Sequence, residues 1–160
     1  MRGMVAANFE QTRAVGSAED PAAAIRRGVG RLLTATGRAV LAEVPLGNGR
    51  RADLAALDHA GRISIIEIKS CRADFAADRK WPEYLGYCDL FYFAVASDFP
   101  CALLPQEHGL IVADRYGGEI IRAAPSRPLC AARRKAMLVR FGQVAADRLQ
   151  ALLDPASLPD

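Results

Sequence analysis

Residues 50–69 read RRADLAALDHAGRISIIEIK, and this stretch decides the fold. Two apolar runs rich in small and β-branched residues flank His59-Ala60-Gly61. A three-residue connector ending in glycine suits a β-hairpin, because glycine takes up the left-handed backbone required at its third position. Asp58 then pairs with Arg62, and counting back along both strands sets Asp53 against Glu67. The preceding run is joined through Gly47-Asn48-Gly49, a second connector of the same kind. It pairs Leu46 with Arg50 and sets Glu43 against Asp53. Three carboxylates therefore line up across strands expected at 38–46, 50–58 and 62–69. Side chains alternate along a strand, so Lys69 shares the face of Glu67, while Ile66 and Ile68 point to the other side.

Like charges placed opposite one another disfavour strand pairing. A divalent cation needs oxygen ligands and offsets that repulsion. A lysine beside it orients a water or stabilises negative charge developing on a phosphate. Asp53, Glu67 and Glu43 are thus candidate ligands of Mg²⁺ or Mn²⁺, and Asp53, Glu67 and Lys69 are the candidate catalytic group. Together they suit hydrolysis of a phosphodiester. The plain alternative is a surface pair Glu67–Lys69 with Asp53 as a polar strand end. A one-residue slip in register would put the acids on opposite faces.

Working outward, residues 1–16 show no period and read as a loose arm, and 17–155 read as one domain. Ser17-Ala-Glu-Asp20-Pro21 opens a helix, with Ser17 or Asp20 as N-cap and Pro21 in the first turn. Ile25, Val29, Leu32 and Leu33 recur at helical spacing, and Gly37 stops the helix. Residues 70–88 read as helical but interrupted, since Pro82 cannot continue a helix begun at Asp74. Residues 89–96 form an apolar strand buried on both faces. A hairpin at 109–114 and 119–123 follows. A last helix runs from about Cys130 to Leu153, with Met137, Phe141, Ala145, Leu149 and Leu152 on one face. The order α-β-β-β-α-β, then a β-hairpin and a helix, predicts an α/β (α+β) fold with a mixed sheet flanked by helices.

The chain has 160 residues, 51% hydrophobic and 24% charged, enough for one buried core and unlike a disordered chain. No apolar run approaches the ~18 residues of a membrane helix, and no signal-peptide stretch is present, so a soluble cytoplasmic protein is expected. Cys71, Cys88, Cys101 and Cys130 contain no C-x-x-C pair, and His59 and His108 are the only histidines. That argues against zinc, haem, a disulfide scaffold and a Ser-His-Asp hydrolase. Between Arg115 and Arg148 eight basic residues face two acids, an excess that suggests a polyanion partner or a solvated helix face. Arg133 and Arg134 are the candidate contacts there. Nearer the acids, Arg50, Arg51, Lys80 and Trp81 are candidates for phosphate contact or base stacking. Trp81 also suits core packing, Arg50 and Arg51 also suit charge balance, and Asp74 and Asp78 suit helix caps.

Arg51-Ala-Asp53-Leu54, then Glu67-Ile-Lys69 with thirteen residues between Asp53 and Glu67, resembles the PD-(D/E)XK nuclease superfamily. The resemblance implies a restriction-endonuclease-like core in which Asp53 and Glu67 bind metal and Lys69 assists the attacking water. Glu43 corresponds to the extra acid often supplied by an earlier element, and Ala52 stands where proline is usual. A narrower resemblance spans roughly residues 20–150. It rests on Glu67-Ile-Lys-Ser70, Asp74-Phe75, Lys80-Trp81, Tyr84, Cys88-Asp89, Phe91-Tyr-Phe-Ala94, Leu104-Pro105 and Gly109-Leu-Ile-Val-Ala-Asp114. These are similar to the MmcB family of bacterial DNA-repair proteins. They imply a role in DNA repair, with DNA as partner. With no separate DNA-binding domain in the reading, another repair protein or a second copy is expected to supply specificity. The alternative is a catalytically inactive nuclease-fold module that binds DNA or a repair partner.

Overall fold

The computed structural model describes residues 19–155. The expected arm at 1–16 and the alternative N-cap Ser17 lie outside the described residues. Helix α1 runs Pro21–Ala35 and strands β1, β2 and β3 run Ala39–Pro45, Arg51–Leu57 and Ile63–Lys69. Next come the short helix α2, Arg72–Ala77, a 3₁₀ segment Trp81–Tyr87 and β4, Leu90–Val95. Strands β5, Gly109–Ala113, and β6, Gly118–Arg122, precede the long helix α3, Ala131–Leu153. A 3₁₀ turn at Cys101–Leu103 has no counterpart in the sequence reading.

The six strands form one mixed sheet in the order β1-β2-β3-β4-β5-β6. The first three are antiparallel, β3-β4 and β4-β5 are parallel, and β5-β6 is antiparallel. Both glycine-ended connectors close as the sequence predicts. Leu46 N–H donates to the Arg50 carbonyl at 2.7 Å and Asp58 N–H to the Arg62 carbonyl at 3.1 Å. Gly49 and Gly61 have φ of 79° and 77°, the left-handed backbone that glycine takes up without strain.

Alternation along β3 divides the core. Ile66 and Ile68 pack with Ile25, Val29 and Leu33 of α1 on one side. Ile63 and Ile65 face the other, among Tyr84, Phe91, Phe93 and Met137. Every residue of β3 and of β4 is buried, as expected for strands covered on both faces. Helix α1 comes so close to the β5–β6 turn that a methyl at Gly28 would overlap the Asp114 and Gly117 carbonyls. Only Met137 and Phe141 of α3 are buried. Leu149 and Leu152, expected on its inner face, are 56% and 81% exposed, because the helix runs on past the body it packs against.

Candidate functional site

The β2–β3 register pairs Leu54 with Ile66, so the next rung brings Asp53 to Glu67. Asp53 Oδ2 accepts the Ile68 N–H at 2.8 Å, so the carboxylate closes this end of the ladder in place of a backbone carbonyl. Glu67 and Lys69 sit at the carboxyl end of β3, on the face away from α1. Their side chains are 8% and 4% exposed. Lys69 Nζ donates to Glu67 Oε1 at 3.0 Å and to Asp78 Oδ2 at 2.6 Å. Asp78, just past α2, is fixed in turn by accepting the Lys80 N–H at 2.7 Å on Oδ1.

Burial drives the electrostatics. Glu67 is pushed up to about 8, first by burial and then by the negative charge of Asp53, against the pull of Lys69. Burial also raises Asp53, although the Ile68 N–H, Lys69 and Arg26 oppose it. Burial works to lower Lys69, but its bonds to Asp78 and Glu67 prevail and hold it above the ordinary lysine value. Burial works the other way on Asp78 too, and the Lys69 ammonium outweighs it, leaving Asp78 below the usual carboxylate range. Lys69 is therefore a fixed ammonium at neutral pH. Glu67 Oε2 is buried with no hydrogen-bond partner. A buried carboxylate oxygen left in that state is a vacancy for a cation or a proton.

The third acid does not join. Register places Glu43 opposite Asp53, as read from the sequence, since Ala42 pairs with Leu54 and Val44 with Ala52. Its backbone, however, turns left-handed at φ 51° and breaks the ladder there. Its carboxylate lies 3.8 Å from Arg26 and 4.0 Å from Arg51, and is 45% exposed. Among the described residues no three acidic, histidine or cysteine side chains gather closely enough to cage a metal. The expected row of three acids is corrected to a neighbouring pair, Asp53 and Glu67, with Glu43 held by arginines. A pair still suits Mg²⁺, which binds one or two carboxylates and keeps several waters.

The candidate DNA contacts divide as well. Arg134 is corrected to a structural residue: it grips buried Asp89 in a bidentate pair at 2.6 and 2.9 Å and donates to the Gly61 carbonyl. Trp81 belongs to the core by its contacts, stacking on Phe91 with ring centres 5.8 Å apart and edge-on to Phe93 and His108. Arg50 is clamped on Glu83 at 2.8 and 2.9 Å. Arg51, two residues before Asp53, and Lys80, two residues after Asp78, stay exposed. Arg133 lies 4.3 Å over the ring of Tyr87.

Two residues of the site escape the sequence reading. Asp78 reads as a cap, and only the fold of α2 returns it to Lys69. Arg26 has no reading in the sequence, and its closeness to Glu43 follows from how α1 packs across the sheet.

A mixed α+β sheet that sets buried Glu67 and Lys69, at the carboxyl end of β3 where it runs parallel to β4, beside half-buried Asp53 of β2 defines the class. That is where open sheets of this type bind ligands. The model of the MmcB-like DNA repair protein family matches residues 10–156. The chain belongs to that family, which points to a role in DNA repair. It is also similar to a solved structure, a protein of unknown function from Silicibacter pomeroyi, at 46% identity with a TM-score of 0.84, covering 88% of this chain and 97% of that one. No curated protein matches. No helix among the described residues is long and apolar enough to cross a membrane.

Proposed function

We propose that this chain is a divalent-metal-dependent deoxyribonuclease of the PD-(D/E)XK type acting in DNA repair. The observation that carries the reading is Glu67: buried, its Oε2 unpartnered, beside Asp53 and 3.0 Å from Lys69. Asp53 and Glu67 would hold Mg²⁺ or Mn²⁺, whose charge on binding supports attack by water on a phosphodiester. Lys69, an ammonium fixed by Glu67 and Asp78, is a positive charge and proton donor aimed at the reacting phosphate. It does not act as a base. Asp78 orients it. Arg51 and Lys80, exposed on either side, contact flanking phosphates.

A second reading, a module that binds DNA or a repair partner without cutting, is favoured by the enclosure of Lys69, which is 4% exposed and held by two carboxylates. One experiment separates the two. Purified chain is offered single-stranded, duplex, nicked and branched DNA with Mg²⁺, Mn²⁺ or Ca²⁺. Cleavage with Mg²⁺ or Mn²⁺ that Asp53→Asn and Lys69→Ala abolish is the expected result. Absence of cleavage on every substrate and metal, with DNA binding retained, establishes the second reading instead.

A further inference from the structure

Most arginines near the body of the protein already have an oxygen partner. Arg50 is on Glu83, Arg62 on Asp58, Arg134 on Asp89, and Arg148 on the Ala42 and Glu43 carbonyls. Arg133 and Arg140 are different. Neither guanidinium makes a hydrogen bond or an ion pair within the described residues. They are two helical turns apart on α3, so they share a face, with α-carbons about 10 Å apart along the axis. Between them lies a groove of about 160 Å³, with Gly47 and Tyr87 on its opposite wall and Ala136 and Met137 at its floor. No acid lines it. The small side chain of Ala136 and the missing one of Gly47 keep it open. The Tyr87 ring supports the Arg133 guanidinium from one face. Stacking fixes the plane of the fork while its edge N–H donors stay available.

The groove also has a position. Gly47 belongs to the connector that leads into β2, six residues before Asp53. At about 3.3 Å per residue, it lies within about 20 Å of the acid pair, toward the same end of the sheet. An extended polyanion crossing the acid pair therefore reaches it within about six nucleotide steps at 3.4 Å each.

We propose that the groove between α3 and the 47–49 connector is a second nucleic-acid backbone site, in which Arg133 and Arg140 bind phosphodiesters of the strand held at Asp53, Glu67 and Lys69. Guanidinium forks match phosphate oxygens. A separation of about 10 Å corresponds to about three axial rises of one strand, so the pair suits phosphates a few steps apart on a polymer better than one free phosphate. The site rests on the nucleic-acid reading above and adds a footprint to it: the substrate extends beyond the cleavage point on the Gly47 side.

The test measures binding without cleavage. Anisotropy of a labelled duplex is titrated with the full chain in EDTA across a range of salt, for wild type, for Arg133→Gln/Arg140→Gln and for Ala136→Glu. Loss of two phosphate contacts is expected to make the slope of log affinity against log salt shallower by about 1.8, with the deficit largest at low salt. Ala136→Glu, which puts a carboxylate into the groove, is expected to weaken binding in the same way. Arg62→Gln, on an arginine paired elsewhere, is expected to leave it unchanged. An unaltered slope in both groove variants overturns this site and leaves the Asp53–Glu67 reading to its own cleavage assay. Saturable binding of pyrophosphate that the double variant loses, with DNA binding intact, overturns the strand assignment. Binding of poly-glutamate in place of DNA overturns it in favour of an acidic protein.

Discussion

Replacing Glu67 by glutamine should stabilise the metal-free protein, and by an amount that depends on pH. Glu67 is raised from 4.5 to about 8, chiefly by burial and then by Asp53. Between those values the folded chain keeps a proton that the unfolded chain releases, so unfolding is favoured as pH rises. Below 4.5 both states are protonated and nothing is lost. At 1.36 kcal/mol per unit, the wild type gives up about 3 kcal/mol by pH 7 and about 5 kcal/mol once pH passes 8. Glutamine keeps the shape and the carbonyl that accepts from Lys69, and it does not titrate. Urea unfolding in EDTA at steps from pH 5 to pH 9 measures this directly. The two proteins should agree near pH 5 and diverge steadily toward pH 8, with the variant the more stable. Mn²⁺ should then restore the wild type alone, since a cation bound only by the folded state stabilises it by mass action. Parallel curves across this range, or a variant less stable at pH 8, would refute the account of a desolvated carboxylate held beside Asp53.

Three further outcomes are expected. Asp89→Ala removes the carboxylate that holds Arg134 and the Ile63 and Leu129 N–H groups, and should lower stability by about 3–5 kcal/mol in denaturant titration; a change below 1 kcal/mol would show the pair to be dispensable. Gly28→Ala drives a methyl into two backbone carbonyls that cannot give way, so its melting temperature should fall by several degrees, and an unchanged melt would mean that α1 lies farther from the β5–β6 turn. Lys69→Ala should slow DNA cleavage about a hundredfold or more while leaving affinity nearly unchanged; equal losses in both would make Lys69 a binding residue.

The strands of this fold were legible because their connectors are short and end in glycine. A three-residue loop leaves one register, and that register carried Asp53 to Glu67 with Lys69 on the same face. What local pattern could not carry was backbone irregularity and tertiary return. Glu43 obeys the register yet leaves the site, because one left-handed residue turns its side chain toward Arg26 and Arg51. Nothing in Ala42-Glu43-Val44 announces that turn. Asp78 is nine positions beyond Lys69 and reaches it only because α2 is short and the chain doubles back. Charge counting identified α3 as basic but could not tell Arg134, locked on Asp89, from Arg133 beside it. On a helix, adjacent residues point about 100° apart and meet different surroundings.

The Asp89 carboxylate has a consequence for the order in which the chain matures. It precedes β4, but the Leu129 N–H lies 40 residues later and the Arg134 guanidinium 45 residues later. A chain emerging from the ribosome presents β1 to β4 first, with this acid on a strand that must be enclosed. Closing the sheet at that stage would bury this acid with the Ile63 N–H as partner but without the Arg134 guanidinium that neutralises it. The burial of Asp89, and with it the seat of β4 between β3 and the 127–129 segment, is completed only by the start of α3, the last element of the chain to be made.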